Sequence, residues 1–209
     1  MTAFEKKFRK IVKSWFYKIL GPYRFELLMF LKVHRKLPNI RSPTTFSEKL
    51  VWRKLFDENP LYVQLADKWK VREYVRVKVG EEILSTIYWV GNDPLSVNLK
   101  DLPNRFVVKA NHGSGKEFLH FVYNKEYINP NAFIELFHNL LTRDFGIYTN
   151  EWWYTKIERK ILVEELLSTN FQFPPVDYKF FVFDGEVHYI QVDYDRFSNH
   201  TRTFYNKNW

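Results

Sequence analysis

The chain has 209 residues, which suits one domain or one and a half, and its 45% hydrophobic and 19% aromatic residues can form a sizeable core. It contains no cysteine, which excludes disulfide bridges and thiolate zinc sites. Its apolar runs are too short for a membrane span, and charges interrupt the N-terminus too often for a signal peptide. We therefore expect a cytoplasmic protein.

The formal net charge of +8 is concentrated at the N-terminus. Residues 1–41 contain eleven Lys and Arg and two Glu, a balance of +9, whereas the rest of the chain carries a balance of −1. Apolar residues recur at helical spacing over residues 4–19, with lysines and arginines between them. This pattern predicts a basic amphipathic helix, which either packs on the domain or holds the protein at the inner face of an anionic membrane. Because no nucleic-acid module is recognisable after it, we do not expect nucleic acid as a partner.

Turn residues and apolar periodicity predict the elements of the next segment. Pro38–Pro43 is a linker, and Ser47 can cap a helix that runs to about Asp57. Asn59-Pro60 breaks this helix. A second helix over Leu61–Lys78 would place Lys68 and Arg72 on one face, and a strand over Ile83–Val90 follows it.

The most informative stretch is a hairpin with a glycine-rich turn. Phe106–Val108 and Leu119–Val122 are β-prone, Lys109 ends the first strand, and Asn111–Gly115 form the turn. Two glycines let backbone N–H groups approach an anion, and a lysine at the strand end can reach phosphates held there. An ordinary hairpin with a polar turn explains the stretch equally well, and Gly-x-x-x-x-Gly-Lys-Ser/Thr is absent.

Four further elements are predicted towards the C-terminus. Ile161–Leu167 is a short buried strand with two carboxylates, and Asp184-Gly185 is a strong hairpin turn. Polar residues then follow, including Asp193 and Asp195. The predicted elements are a helix over Asn131–Arg143, the strand Ile161–Leu167, and a hairpin of strands Asp177–Phe183 and Glu186–Val192.

Several sequence motifs occur along the chain in an order that resembles the ATP-grasp superfamily. In their detailed sequences they resemble the teichuronopeptide-biosynthesis (TupA-like) ATP-grasp family. They cover about residues 45–209. The motifs are Thr45-Phe-Ser-Glu-Lys-Leu50, Asp57-Glu-Asn-Pro-Leu-Tyr62, Asp67-Lys-Trp-Lys-Val-Arg-Glu-Tyr74, Lys109-Ala-Asn-His-Gly-Ser-Gly115, Val163-Glu-Glu-Leu-Leu167, Asp177-Tyr-Lys-Phe-Phe-Val-Phe-Asp-Gly185 and Gln191-Val-Asp-Tyr-Asp-Arg-Phe197.

The resemblance implies a site for ATP and Mg²⁺. Lys68 and Lys109 would neutralise the phosphates, and Asn111, His112, Gly113, Ser114 and Gly115 would cover them. Glu164, Glu165 and Leu167 belong to a hinge whose backbone pairs with adenine and whose carboxylate meets the ribose. Lys179 would be a third nucleotide contact, although a solvent-exposed lysine on a strand, without a role in binding, is an equal interpretation. Asp193, Asp195 and Arg196 would meet substrate or metal, although a solvated strand end is an equal interpretation.

The resemblance implies an α+β, ATP-grasp-like fold with an N-terminal helical region and an incomplete C-terminal sheet. We expect a basic helical segment over 1–41, an α/β region over 42–100, a small subdomain with the glycine loop over 101–165, and the start of the C-terminal subdomain over 166–209. The family's magnesium-binding acidic strand and Glu-x-Asn would lie beyond Trp209. We therefore expect a truncated or complemented chain that exposes an apolar sheet edge and self-associates, and we assign no metal ligand and no catalytic residue.

The implied chemistry is ATP-dependent carboxylate–amine ligation in the biosynthesis of a bacterial surface polysaccharide, such as a capsule, a teichuronopeptide or lipopolysaccharide. A carboxylate attacks the γ-phosphate of ATP, and an amine then displaces phosphate. The acceptor would carry a saccharide or an amino acid. Two alternatives stay open: a glycosyltransferase of the same loci, with Asp193-Tyr-Asp195 as a metal-binding Asp-x-Asp, and a non-catalytic, nucleotide-binding scaffold.

Overall fold

The computed structural model describes residues 3–167, 175–195 and 198–209, and these combine helices with antiparallel strand pairs. The chain divides into two compact units, Met1–Glu164 and Glu165–Trp209. The α+β class expected from the sequence is confirmed.

The first unit begins with a long helix that is broken once. Helix α1 covers Ala3–His34, but Gly21 has φ 70° and ψ 168°, so the helical path stops there and starts again at Pro22. Proline suits the first turn of the second half because its missing N–H has no helical partner at that position. Helix α2 covers Phe46–Phe56. Its N-cap is Thr45 and not Ser47, because the Thr45 side chain accepts from the backbone N–H of Glu48.

The single helix predicted over Leu61–Lys78 is wrong. The structure has α3 at Leu61–Ala66 and α4 at Val71–Lys78. Asp67 separates them because its backbone is extended and its carboxylate accepts from the N–H groups of Trp69 and Lys70, at 2.9 and 3.3 Å. Lys68 consequently lies in a turn instead of sharing a helical face with Arg72.

The first unit has four strands, β1 Ile87–Gly91, β2 Phe106–Ala110, β3 Leu119–Val122 and β4 Ile161–Glu165. They form one sheet in the order β1-β4-β2-β3. The antiparallel β2–β3 pair confirms the predicted glycine hairpin, and β4 lies between β1 and β2. β1 starts at Ile87 and not Ile83, and β4 ends at Glu165 and not Leu167. Two helices lie between β3 and β4 in sequence, α5 at Pro130–Thr142 and α6 at Trp152–Thr155.

The core of the first unit lies between this sheet and α5. Alternate residues of β2 and β4 are buried together with one face of α5, as the two-residue period of a strand and the helical period of α5 require. Val107 and Leu162, on the other face of the same strands, are buried as well. The core residues are Leu102, Phe106, Val108, Ala110, Phe118, Val122, Phe133, Phe137, Leu140, Ile161 and Val163.

The second unit contains one antiparallel sheet in the order β5-β6-β7. β5 covers Asp177–Phe183 and β6 covers Glu186–Tyr194, which confirms the predicted Asp-Gly hairpin and extends its second strand past Val192. β7, at Thr201–Asn206, has no counterpart in the sequence prediction. Its residues Thr-Arg-Thr-Phe-Tyr-Asn are too polar for the apolar run or alternation by which a strand is recognised.

Candidate functional site

The loop between β2 and β3 uses each of its glycines for a different reason. Gly113 is buried against Phe118, and a Cβ at Gly113 would lie 2.2 Å from the Phe118 ring. Gly115 has open space around it but a φ of 91°, which side-chain-bearing residues rarely adopt. Ser114 is exposed between them. The loop then closes through a turn of 3₁₀ helix at Lys116–Phe118 before β3 begins.

Asn111 fixes the start of this loop to two other segments. Its side-chain amide donates to the Asp67 carboxylate and to the Glu158 carbonyl, both at 2.9 Å. Its side-chain oxygen accepts from the N–H of Lys160 at 2.8 Å, and its own N–H donates to the Lys160 carbonyl at 3.0 Å. Asn111 is buried and all of its side-chain groups are used, so its role in the described structure is to position the loop.

His112 is also buried and connects the loop to the end of α5. Its Nε2 lies 3.0 Å from the Arg143 carbonyl, and its ring packs edge-on against Phe118. Burial lowers the pKa of His112, so the neutral imidazole dominates near pH 7. Its Nδ1 lies 3.3 Å from the Asn111 side-chain oxygen, so each ring nitrogen faces an acceptor and the tautomer decides which of the two hydrogen bonds forms.

Lys68 reaches the same loop from the turn between α3 and α4. Its backbone N–H donates to the Asn111 carbonyl at 3.1 Å. Its ammonium donates to the carbonyl oxygens of Ala110, at 3.1 Å, and Gly113. Burial and, next, the positive charge of Lys109 lower the pKa of Lys68 to about 8, although Glu164 and Asp67 act in the opposite direction.

Lys109 and Glu164 form an ion pair between β2 and its neighbour β4. Glu164 is buried, and the Lys109 side chain is partly exposed. Two lysines that are 41 residues apart in sequence, one carboxylate and the glycine loop therefore meet at the end of β2. Neighbouring ammonium groups and a loop with small residues suit an anion with several oxygens, such as a phosphate chain.

The sequence comparison agrees with this geometry. The family model described as TupA-like ATPgrasp matches residues 48–209, which is more than half of the chain. The chain belongs to the TupA-like ATP-grasp family. Membership confirms the family resemblance and an ATP-grasp protein, for which the implied nucleotide is ATP. No curated protein and no solved structure matches the sequence significantly.

In the first unit of this TupA-like chain, most of the residues that are expected to contact the nucleotide lie together. Lys68, Lys109, Glu164 and the loop Asn111–Gly115 meet as described. Glu165 ends β4, and Leu167 is exposed two residues later; both belong to the second unit, and their place in an adenine hinge stays a prediction. Lys179, Asp193 and Asp195 also lie in the second unit, and Arg196 falls outside the described residues.

Asp193 is the centre of a charged cluster within the second unit. It is buried and accepts hydrogen bonds from Lys179, from Arg202 Nε at 2.6 Å, and from Gln191 and His200 at 2.9 Å. The hydrogen bonds from Lys179 and Arg202 hold the pKa of Asp193 well below its usual range. Burial lowers the pKa of Lys179, but hydrogen bonds to Asp177 and Asp193 outweigh burial and raise it.

The sequence does not predict the contacts of this cluster or the role of Asp67. His200 and Arg202 reach Asp193 because β7 pairs with β6, and the sequence does not predict β7. Gln191 lies two residues before Asp193 on β6 itself, where its contact with Asp193 is local. Asp67 does carry a signal, since aspartate often accepts from N–H groups two and three residues later. Asp195 is exposed in the turn after β6, with φ 47°, and its carbonyl accepts from the Ser198 N–H at 2.9 Å.

The residues at the glycine loop fit the phosphates of ATP better than they fit magnesium. Ammonium groups and a loop whose Gly113 position admits no side chain are suited to anionic oxygens. In the described parts of the chain, no group of three or more His, Cys, Asp or Glu is placed to hold a metal ion. Glu164 and Asp193, the buried carboxylates of the two clusters, are both paired with cations.

Proposed function

We propose that this TupA-like chain binds ATP at Lys68, Lys109 and the loop Asn111–Gly115, in the service of carboxylate–amine ligation. The observation that supports the proposal is the convergence of two lysines on one glycine loop, where burial and a second positive charge lower the pKa of Lys68 to about 8. An anion beside them would relieve this unfavourable arrangement. Family membership supports ATP as that anion.

The two lysines take different parts in the proposed site. Lys68 contacts only carbonyl oxygens in the described structure, so it can turn to phosphate without breaking an ion pair. Lys109 must share its charge between Glu164 and the nucleotide, and Glu164 keeps the lysine at the edge of β2. Glu165 and Leu167 would meet the base and ribose, as in the resemblance. ATP would supply the phosphoryl group that activates the carboxylate.

The proposed biological role is the biosynthesis of a bacterial cell-surface polysaccharide. This role is supported by membership of the TupA-like ATP-grasp family, for which the resemblance implies teichuronopeptide biosynthesis and a cell-envelope context. The acceptor would be a saccharide or a group that bears an amino acid. Lys179 and the residues around Asp193 are proposed to meet ATP or this acceptor.

Calorimetry with Mg-ATP tests the nucleotide site. We expect Lys68→Met and Lys109→Met each to weaken binding by about 1–3 kcal/mol, the range of a lost hydrogen bond to a charged group. Lys78→Met, an exposed lysine at the end of α4, is the matched control and should bind like the wild type. Equal affinities in all four proteins would contradict the proposed site.

Competition with a nucleotide sugar separates ligation from the glycosyltransferase alternative. That alternative needs the Asp193 carboxylate as a metal ligand, whereas four protein donors occupy it in the structure. We expect UDP-glucose not to displace ATP. ATP binding without turnover in the presence of candidate acceptors would favour the non-catalytic, nucleotide-binding alternative.

A further inference from the structure

The first half of α1 carries a continuous stripe of exposed apolar side chains. Phe8, Ile11, Trp15 and Ile19 follow each other at steps of three or four residues, so they lie along one side of the helix. Each is between 58% and 62% exposed, although such large apolar side chains are usually covered in a folded domain. Exposed patches of this kind mark surfaces that bind something else.

One flank of the same helix, at Ser14, and its opposite side, at Tyr17, are packed on the rest of the first unit. Ser14 donates to the Tyr148 hydroxyl at 2.8 Å, and the Tyr17 ring lies 5.5 Å from the Tyr148 ring and 5.3 Å from the Phe25 ring. At 100° per residue, Tyr17 points almost directly away from Trp15 and Ile19. The contacts of Ser14 and Tyr17 therefore hold the stripe towards solvent.

An apolar groove adjoins this stripe. It lies between the two halves of α1 and has a volume of about 540 Å³. Its walls are apolar except for Lys13 and Lys32. The groove residues are Phe8, Val12, Phe16, Leu20, Phe25, Leu28 and Met29, with the two lysines.

The positive charge around the stripe indicates which kind of surface it binds. Lys18 is exposed next to Ile19, and residues 1–41 have a charge balance of +9. Two copies of such a segment would repel each other, which disfavours a second chain as the partner. A negatively charged bilayer surface attracts the basic residues and buries the apolar ones at once.

We propose that the first half of α1 binds the surface of an anionic membrane, with the side chains of Ile11, Trp15 and Ile19 at the boundary between headgroups and acyl chains. Trp suits this boundary because its ring is apolar and its N–H is polar. The second half of α1, Ser14 and Tyr17 keep this face presented to the bilayer. The inference goes beyond nucleotide binding, since no residue of the glycine-loop site takes part.

Co-sedimentation of the full chain with vesicles tests the inference. One vesicle preparation contains equal parts of phosphatidylcholine and phosphatidylglycerol, and the other contains phosphatidylcholine alone. We expect binding to the anionic vesicles only, weakened by added salt, because salt screens exposed charges. Trp15→Glu and Ile11→Glu should each weaken binding about tenfold or more, because each removes buried apolar area and adds a negative charge.

Two control variants make the result specific to this face. Leu95→Glu introduces the same charge at an apolar residue that is 76% exposed elsewhere in the first unit. It should change vesicle binding only by the amount that the lower net charge of the protein explains. Lys18→Glu should weaken binding more than Lys78→Glu. Circular dichroism of each variant checks that α1 remains helical.

Three outcomes would overturn the proposal. The first is equal binding to neutral and anionic vesicles, and the second is equal loss in the Trp15→Glu and Leu95→Glu variants. The third is a wild-type dimer in light scattering that Trp15→Glu converts to a monomer without any change in vesicle binding. That last result would assign the stripe to self-association.

Discussion

Lys68 shows how one residue couples the fold to the proposed ligand. Its ammonium lies among backbone oxygens close to Lys109, and burial lowers its pKa from the ordinary 10.5 to about 8. The charged form therefore costs folding free energy. The unfolded chain binds more protons between pH 8 and 10.5, so this cost disappears as the pH rises through that interval.

The same lowered pKa predicts how ATP affinity depends on pH. Below pH 8 Lys68 is already protonated, whereas above pH 8 ATP binding must take up a proton. We expect ATP affinity to fall as the pH rises through 8, with proton uptake visible as a dependence of the binding enthalpy on the buffer. In Lys68→Arg the guanidinium remains charged and this dependence should disappear. An identical pH profile in both proteins would mean that Lys68 does not face the phosphates.

Asp193 is predicted to stabilise the second unit. Asp193→Asn leaves Lys179 and Arg202 close together without their shared anion, and we expect a lower denaturation midpoint and faster hydrogen exchange in β5, β6 and β7. Asp195→Asn is the control because Asp195 is exposed and asparagine tolerates its positive φ. If both variants behave alike, the cluster contributes nothing to stability.

At the scale of elements, the sequence predicts structure well where one local signal dominates. The Asp184-Gly185 turn and the glycine hairpin of β2 and β3 were found because turn chemistry and strand-forming runs coincide. The α3–α4 break was missed because apolar spacing continues through Asp67, while the carboxylate that ends the first helix acts through two hydrogen bonds. The lysines of the site were recognised from the order of motifs, whereas their carbonyl and carboxylate partners depend on strand pairing.

The N-terminus of α2 supplies a prediction about acid stability. Glu48 accepts from the backbone N–H groups of Asn39, Thr44 and Thr45, and those from Asn39 and Thr45 contribute most to lowering its pKa from 4.5 to about 2. This carboxylate therefore stabilises the fold above pH 4.5, and the stabilisation is lost as the pH falls from 4.5 towards 2.

We expect Glu48→Gln to lower the urea midpoint at neutral pH and to differ less from the wild type near pH 2. Glu58→Gln, at an exposed position just after α2, should follow the wild type at every pH. Thr45 and Glu48 form a capping box, in which each side chain accepts from the backbone N–H of the other residue. If the urea midpoints of Glu48→Gln and the wild type differed by the same amount at every pH, the carboxylate charge would not be the cause of the stabilisation.

At the scale of the whole molecule, polar contacts at its break join helix α1 to the rest of the first unit, in addition to the packing of Tyr17 and the buried Phe25. The Asn150 side-chain amide donates to the Pro22 carbonyl at 3.0 Å and to Glu26 at 2.8 Å, and Lys54 pairs with Glu26 at 3.0 Å. Asn150 has a φ of 55°, in the left-handed region. The buried Glu26 is thus paired with one cation and one amide, and the same amide contacts the Pro22 carbonyl next to the break at Gly21.

Asn150→Gly is expected to loosen α1. Glycine keeps the positive φ but removes both hydrogen bonds, so we expect the free energy of unfolding to fall by about 1–3 kcal/mol and hydrogen exchange to rise in residues 11–34. Asp184→Gly, a second change from a positive-φ residue but in an exposed turn, should leave α1 unaffected. Unchanged exchange in Asn150→Gly would show that apolar contacts alone hold the helix.

Lys68 also sets the order of events when a nucleotide arrives. Its ammonium already ties the carbonyls of Ala110 and Gly113 together, so the loop is closed by the residue that is proposed to meet the phosphates. Encounter and tight binding are then separate steps, because two of the three ammonium N–H groups are bonded to carbonyls and at least one of these bonds must break before Lys68 can donate more than one hydrogen bond to the phosphates. The observed rate of association should rise with nucleotide concentration and then reach a plateau set by that release.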